Sequence, residues 1–267
     1  KVLQALGITR IFFLGDSLQF QMAQSLWKLL DLLDDLAEDK ASAAKRQVIC
    51  PQTQFEFTFE FARNDRLLDV DTGPAHAKDK NCKYGYCWPW TQKYLDNTAR
   101  TLVIANTGAH SHEHSIFNED FDTFVQLVDR LRRPRDFVYF RTSVPGHMNC
   151  GAADLEPFKN YAEYKPTITE VYSWNKFIDY NDYATRVLDE RNRDEKEKTN
   201  VMILDVYPMT VLRQDGHSGG ADCIGCDNKD CLHYSLPGPV DWWNHLLYTD
   251  LAEKARRYIK KNNELEK

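Results

Sequence analysis

Arg10-Ile11-Phe12-Phe13-Leu14-Gly15-Asp16-Ser17-Leu18 is the stretch from which the fold can be read. An unbroken apolar run reads as a buried strand, Gly15 supplies a tight turn, and Ser17 opens a helix whose apolar positions are Leu18, Met22, Leu26, Leu29 and Leu33. A serine placed there has its hydroxyl at a helix N-terminus. The free backbone N–H groups and the positive dipole end can stabilise a developing oxyanion at that point.

The rest of the chain repeats the strand-then-helix unit. Thr101 to Ala105, Phe137 to Phe140 and Val201 to Val206 read as buried strands. Helices are expected from Ile116 to Arg133, with Pro134 as the stop, from Glu170 to Asn192, and from Val240 onward, where Leu246, Leu247, Leu251, Ala255 and Ile259 recur at helical spacing. Ala41 to Arg46 reads as a solvated connector. Gln47 to Phe61 reads as extended, with Phe55, Phe57, Phe59 and Phe61 alternating with polar residues. The segment 69–96 is a long insertion carrying Trp88, Trp90 and Tyr94, either a sugar-stacking surface or a satellite core. No repeat or linker divides the chain. The expectation is a single domain over 1–267, three-layer α/β/α, with a central, mostly parallel sheet between two helical layers.

A net charge of −6 argues against a nucleic-acid or anionic-membrane binder. No apolar run approaches the roughly 18–20 residues that span a bilayer. The chain opens at Lys1, directly before the first strand, and so reads as a domain cut from a longer protein, with room for an anchor upstream. Seven cysteines leave one over however they pair; Cys82/Cys87 and Cys223/Cys226 are close in sequence, and Cys50, Cys150 and Cys231 remain.

Near the C-terminus stands Asp230-Cys231-Leu232-His233-Tyr234-Ser235-Leu236-Pro237-Gly238-Pro239. A carboxylate three residues before an imidazole can hold one ring nitrogen in a tight turn while the other faces a nucleophile. Ser17, Asp230 and His233 are therefore the candidate catalytic residues. A competing reading makes Cys223, Cys226, Cys231 and His233 a zinc knuckle, which would consume the catalytic imidazole. His110, His112 and His114 alternate as metal ligands on an extended segment would, or form a polar loop near the cleft. Arg63-Asn64-Asp65 either lines the site or is a charged turn, and Arg141 either lines it or makes a structural ion pair.

The Gly-Asp-Ser and the late Asp-x-x-His, in this order, resemble the SGNH/GDSL hydrolase superfamily. Four more passages bring the resemblance to the PC-esterase family, which includes the trichome-birefringence-like polysaccharide O-acetyltransferases of plants: Phe55 to Phe61, Asn106-Thr107-Gly108-Ala109-His110, Arg141-Thr142-Ser143-Val144-Pro145-Gly146-His147 and Leu212 to Ser218. The resemblance implies an SGNH-type domain and acetyl transfer through an acyl-Ser17 intermediate. It implies an oxyanion hole from the Ser17 N–H with Asn106 or Gly108, and substrate contacts from Asp16, Arg63, Asn64, His110, Arg141 and His147. No metal or organic cofactor is implied. The partners would be an acetyl donor and a polysaccharide or oligosaccharide acceptor, and the setting the Golgi lumen or the cell exterior. A carbohydrate acetylesterase, a non-catalytic glycan-binding relative and a lipid or small-ester hydrolase are the alternatives. One departure stands out: family members usually carry a second cysteine where this chain has Ser235, which leaves the pairing of Cys231 open.

Overall fold

The computed structural model describes residues 1–32, 43–69, 85–95, 98–131, 133–148, 150, 155–194, 198–217 and 230–265. Six strands make one sheet: β1 (Arg10–Gly15), β2 (Ala43–Ile49), β3 (Glu56–Arg63), β4 (Thr101–Ala105), β5 (Phe137–Arg141) and β6 (Val201–Leu204), in the order β2-β3-β1-β4-β5-β6. Every pairing is parallel except that of the edge strand β2 with β3. The helices are α1 (Val2–Leu6), α2 (Ser17–Leu29), α3 (Thr91–Leu95), α4 (His114–Leu131), α5 (Tyr161–Tyr164), α6 (Phe177–Arg193), α7 (Tyr207–Thr210) and α8 (Pro239–Leu265).

The apolar run of β1 is continuous because both of its faces are covered. Ile11 and Phe13 point to one layer, with Phe57, Phe59 and Phe61 of β3, Met22 and Trp27 of α2, and Trp243, Leu247 and Leu251 of α8. Phe12 and Leu14 point to the other, with Phe117, Phe121 and Phe124 of α4 and Tyr180, Ala184 and Leu188 of α6. The chain is thus a three-layer α/β/α fold. Trp90 and Tyr94 of the long insertion are buried in the second layer, and the Trp90 indole donates to the Leu67 carbonyl at 3.1 Å. In the described part of that insertion, then, these two rings form core.

Three expectations need correction. The stretch read as connector plus one strand is a hairpin, turning at Cys50 to Gln54, where Gln54 takes φ 54° and its N–H reaches the Cys50 carbonyl. The helix expected from Glu170 begins at Phe177. Before it runs a 3₁₀ segment, Val171–Lys176, in which Tyr172 and Ser173 have φ 48° and 59°. Leu29 and Ile259, assigned to apolar faces, are 46% and 47% exposed; Leu29 is the last residue of α2. Leu33 lies outside the described residues.

The chain order reverses at β1. It leaves β1 toward β3 and β2 on one side, then returns to lay β4 on the other. A crevice opens at such a reversal, beyond the carboxyl ends of the two strands. Here those ends carry Gly15-Asp16-Ser17 and Asn106-Thr107-Gly108. They are tied together by the Asn106 N–H to the Leu14 carbonyl at 3.0 Å, and β3 is tied in by the Asn64 N–H to the Gly15 carbonyl at 2.9 Å. Gly15 has φ 154°, and a Cβ there would lie 2.7 Å from the Asn106 carbonyl oxygen and 2.9 Å from Gln19 Cβ. Gly15→Ala is therefore expected to push β1 from β4 where Ser17 leaves the sheet. Thermal unfolding should report a loss of about 1–3 kcal/mol, and turnover should fall with it; an alanine variant of unchanged stability and rate would remove this account of the turn.

Candidate active site

Ser17 is the first residue of α2. Asp16 caps it: one carboxylate oxygen accepts from the Leu18 and Gln19 N–H groups at 2.9 and 3.1 Å, satisfying donors that a helix start leaves open. The Ser17 N–H has no acceptor among the described residues, so it stays available at the cleft.

The other half of the site comes from 230–234. One Asp230 oxygen accepts from the Leu232 and His233 N–H groups at 3.1 and 2.9 Å, closing the turn. Its second oxygen takes His233 Nδ1 at 2.7 Å, and His233 Nε2 lies 2.7 Å from Ser17 Oγ. Burial alone would raise the Asp230 pKa. The hydrogen bonds from the His233 ring and backbone, and the imidazole's charge, outweigh it and hold the carboxyl down at about 2. Asp230 is thus an anion through the whole neutral range, fit to hold Nδ1 protonated and to leave Nε2 free to accept from Ser17.

The 230–234 segment is fastened from several sides. The Gln21 side chain donates to the Tyr234 carbonyl at 2.8 Å and accepts from its N–H at 3.0 Å, joining the segment to α2. The Tyr234 hydroxyl donates to the Pro145 carbonyl at 2.8 Å, and the His147 N–H to the Cys231 carbonyl at 3.0 Å. Cys231 is disulfide-bonded to Cys150, which answers the question left open by Ser235 and removes Cys231 from any zinc knuckle. Cys223 and Cys226 lie outside the described residues; Cys87 is disulfide-bonded and Cys50 is a free thiol.

Ser17, Asp230 and His233 open into a cleft of about 400 Å³ whose other walls are Arg63, Ala109, His110, His112, Tyr172 and Leu232. Two of the expected substrate residues, Arg63 and His110, are therefore at the cleft. Asp65 accepts from Arg63 Nε and lies 3.7 Å from His110 Nε2. The sequence reading missed Tyr172 and Leu232; for His112 it had weighed a metal ligand against part of a polar loop near the cleft, and His112 stands in the cleft wall. His112 and Tyr172 both take left-handed backbone, φ 56° and 48°. Such strain in non-glycine residues gathers at functional sites and is not visible in a sequence. Here Ser173 Oγ and Lys176 Nζ both donate to the His112 carbonyl, at 3.2 and 2.6 Å, and lock the two segments together. Burial, then the charges of His110 and Lys176, lowers the His112 pKa. His114 turns away to Asp179 at 3.0 Å, and among the described residues no cluster of His, Cys, Asp and Glu suits a metal.

Four residues expected at the substrate are inside the protein instead. Asp16 is 1% exposed and spent on the cap. Asn64 is fully buried, its amide donating to the Leu68 and Trp88 carbonyls at 2.6 and 2.8 Å. Arg141 is fully buried; it donates to Gln19 Oε1 and the Thr142 carbonyl, both at 2.9 Å, and lies over the Trp243 ring. Burial pulls its pKa down to about 10 against the opposing charge of Asp16. His147 is 3% exposed and bonded to His217. Of the two oxyanion candidates, the Asn106 amide donates to the Arg141 carbonyl at 2.9 Å and the Thr107 carbonyl at 3.2 Å, so it braces β4 against β5. Gly108, two residues on, has φ 137°, and Ser143 Oγ lies 2.2 Å from where a Cβ would sit, so a side chain does not fit there.

A family model described as PC-Esterase, a GDSL/SGNH-like acyl-esterase family found in Pmr5 and Cas1p, matches residues 85–250. Protein trichome birefringence-like 42 of Arabidopsis thaliana is 49% identical over 263 residues, covering 91% of this chain and 70% of that protein. Protein trichome birefringence-like 25 of the same plant is 29% identical over 92% of this chain, which spans 62% of that protein's length. Among solved structures, Est24, a carbohydrate acetylesterase from Sinorhizobium meliloti, aligns over 91% of this chain and 98% of its own with 12% identity and a TM-score of 0.42.

Proposed function

We propose, for a chain that belongs to the PC-Esterase family of GDSL/SGNH-like acyl-esterases, that it transfers an acetyl group through an acyl-Ser17 intermediate to a hydroxyl of a polysaccharide. The observation that carries this reading is the chain of two 2.7 Å contacts from Asp230 through His233 to Ser17. His233 Nε2 takes the Ser17 proton as Oγ attacks the acetyl carbonyl, and the resulting imidazolium is held by Asp230. The Ser17 and Gly108 N–H groups meet the oxyanion. The imidazolium then returns its proton to the leaving oxygen. In the second half His233 draws a proton from the incoming hydroxyl, which attacks the acetyl-serine and releases Ser17. The polar walls from Arg63, His110, His112 and Tyr172 suit a sugar better than a lipid chain. The Cys150–Cys231 bond suits an oxidising lumen, the Golgi or the cell exterior, and among the described residues no helix is long and apolar enough to cross a membrane.

The test follows an activated aryl acetate with and without plant cell-wall oligosaccharides. Ser17-dependent transfer of acetyl onto sugar, at the expense of free acetate, supports the reading. Acetate released only to water would favour an esterase, and an unreactive, folded protein a glycan-binding relative.

A pH profile makes a second test. Because Asp230 is held at about 2, its ionisation lies far below the working range. A carboxyl lowered on folding contributes its stability above the unfolded value, near 3.9, and loses it only as pH falls through the folded one. The acid limb of kcat/KM is accordingly expected to follow a single proton that is not taken up by Asp230. A limb of slope two above pH of about 4 would place Asp230 in the titration and contradict the assignment.

A further inference from the structure

Two motif histidines remain outside this mechanism. His147 and His217 are 3% and 7% exposed, and their facing nitrogens, His147 Nδ1 and His217 Nε2, are 2.7 Å apart. Their outer nitrogens each face a backbone carbonyl: His147 Nε2 meets Val211 O at 2.9 Å, and His217 Nδ1 meets His233 O at 2.9 Å. A carbonyl only accepts, so both outer nitrogens donate. Two neutral imidazoles carry two N–H groups, and both are then used. The inner contact would oppose two lone pairs at hydrogen-bonding distance. Rotating either ring by half a turn puts carbon at both of its contacts and forfeits two hydrogen bonds. A third proton satisfies all three contacts.

We propose that His147 and His217 form a proton-sharing dyad, carrying one positive charge between them, whose inner member positions the catalytic base by donating Nδ1–H to the His233 carbonyl. The inference rests on the reading of His233 as that base. The dyad's setting offers a charge balance. Asp215 acts favourably on His147 and is itself bound through both oxygens by Arg213 at 2.8 Å; Asp230 acts favourably on His217, and a protonated His233 opposes it. Tyr164 and Phe158 pack against the His147 ring, and Tyr234 stacks on His217 with centroids 4.3 Å apart. Burial pulls each ring taken singly well down, His147 to about 4 and His217 to about 3. Burial and the effect of His147 on His217 oppose the charge; what favours it is the geometry, three contacts that only a proton shared by the pair can satisfy. His217 is also paired backbone to backbone with Tyr234, and the Ser235 N–H reaches the Gly216 carbonyl at 2.8 Å, so the dyad seats the segment that carries His233.

The experiment uses the intact chain with ring-¹⁵N histidine. At neutral pH, three of the dyad's four ring nitrogens are expected to be protonated, with one far-downfield shared proton; two neutral rings at neutral pH would overturn the dyad. That readout does not depend on turnover, so it stands apart from the catalytic reading, which falls if Ser17→Ala keeps its activity. The positioning role is read in two variants. His217→Asn keeps an amide donor near the place of Nδ1, whereas His217→Gln puts its amide near Nε2. The Asn variant should retain most of kcat, and the Gln variant should lose on the order of tenfold to a hundredfold with KM little changed. Equal losses in both would overturn the positioning role, and the wild-type spectra decide the shared proton even where a variant fails to fold.

Discussion

Ser17→Ala is expected to cut turnover of an aryl acetate on the order of 10⁴-fold or more, with the fold intact, and His233→Ala to do the same. The size follows from the roles. Without the Ser17 hydroxyl there is no acyl acceptor, and without the imidazole nothing takes the proton as the hydroxyl attacks. Stability should hardly move. Ser17 is half-buried at the first position of α2, where alanine is well tolerated, and its cap comes from Asp16 rather than from its own side chain. The His233 side chain is 30% exposed in the cleft. The two losses should also fail to add. Groups that work as one unit are each worth nearly the whole, so the double variant should be little slower than either single one. Thermal melts beside kcat/KM check both points. Near-native rates in either single variant would remove the triad, and a double variant slower by the product of the two losses would mean that Ser17 and His233 act separately.

Much of this arrangement is legible in the sequence because it is local. Ile11 to Leu14, a short apolar run closed by a glycine turn, reads as a strand covered on both faces, and the residues after it open a helix, so the β1–α2 unit and its serine follow from adjacent residues. Asp230 and His233 are legible for a similar reason. At a spacing of three, one carboxylate can reach both the backbone N–H and the ring of the histidine, as it does at 2.9 and 2.7 Å. The strand β2 hides because it is an edge. In Ala44-Lys45-Arg46-Gln47-Val48 burial alternates, but the half-buried middle position is Arg46, so the sequence shows almost no apolar alternation. The helix expected from Glu170 was over-extended for the opposite reason. Val171, packed against the core, keeps helical spacing with the buried Trp174, Phe177, Asn181, Ala184 and Leu188, so the pattern runs across Tyr172 and Ser173, where the backbone breaks.

The substrate residues separate along another line. Arg63, Asn64, His110, Arg141 and His147 are all polar and all end or follow strands of the sheet. Whether such a residue faces the cleft or the interior depends on which carbonyls come within its reach. Arg141 goes inward because Gln19 and the Thr142 carbonyl wait there, and Asn64 because the Leu68 and Trp88 carbonyls do. Several of those partners are distant in the chain, so no local pattern could sort these residues.

Replacing both Cys150 and Cys231 by alanine sets two effects of different size against each other. The bridge closes a loop with a sequence separation of 81. In the chain-entropy account that constraint stabilises the fold by about 4.5 kcal/mol, and native bridges more often give about 2–5. Urea unfolding of the double variant should therefore show a loss of a few kcal/mol, a large part of what a domain of this kind has to spare. Catalysis should suffer less. Cys231 stands between Asp230 and His233, yet the segment keeps its other ties: the paired Gln21 bonds to Tyr234, the Tyr234 hydroxyl on Pro145, the His147 N–H on Cys231 O and the His217 ring on His233 O. Each is worth about 1 kcal/mol, and together they outweigh the small displacement that an open bridge allows. Below its melting transition the double variant should keep kcat within about tenfold of wild type. A variant as stable as wild type but as slow as Ser17→Ala would reverse the assignment, making the bridge the main determinant of where His233 sits and the hydrogen bonds its followers.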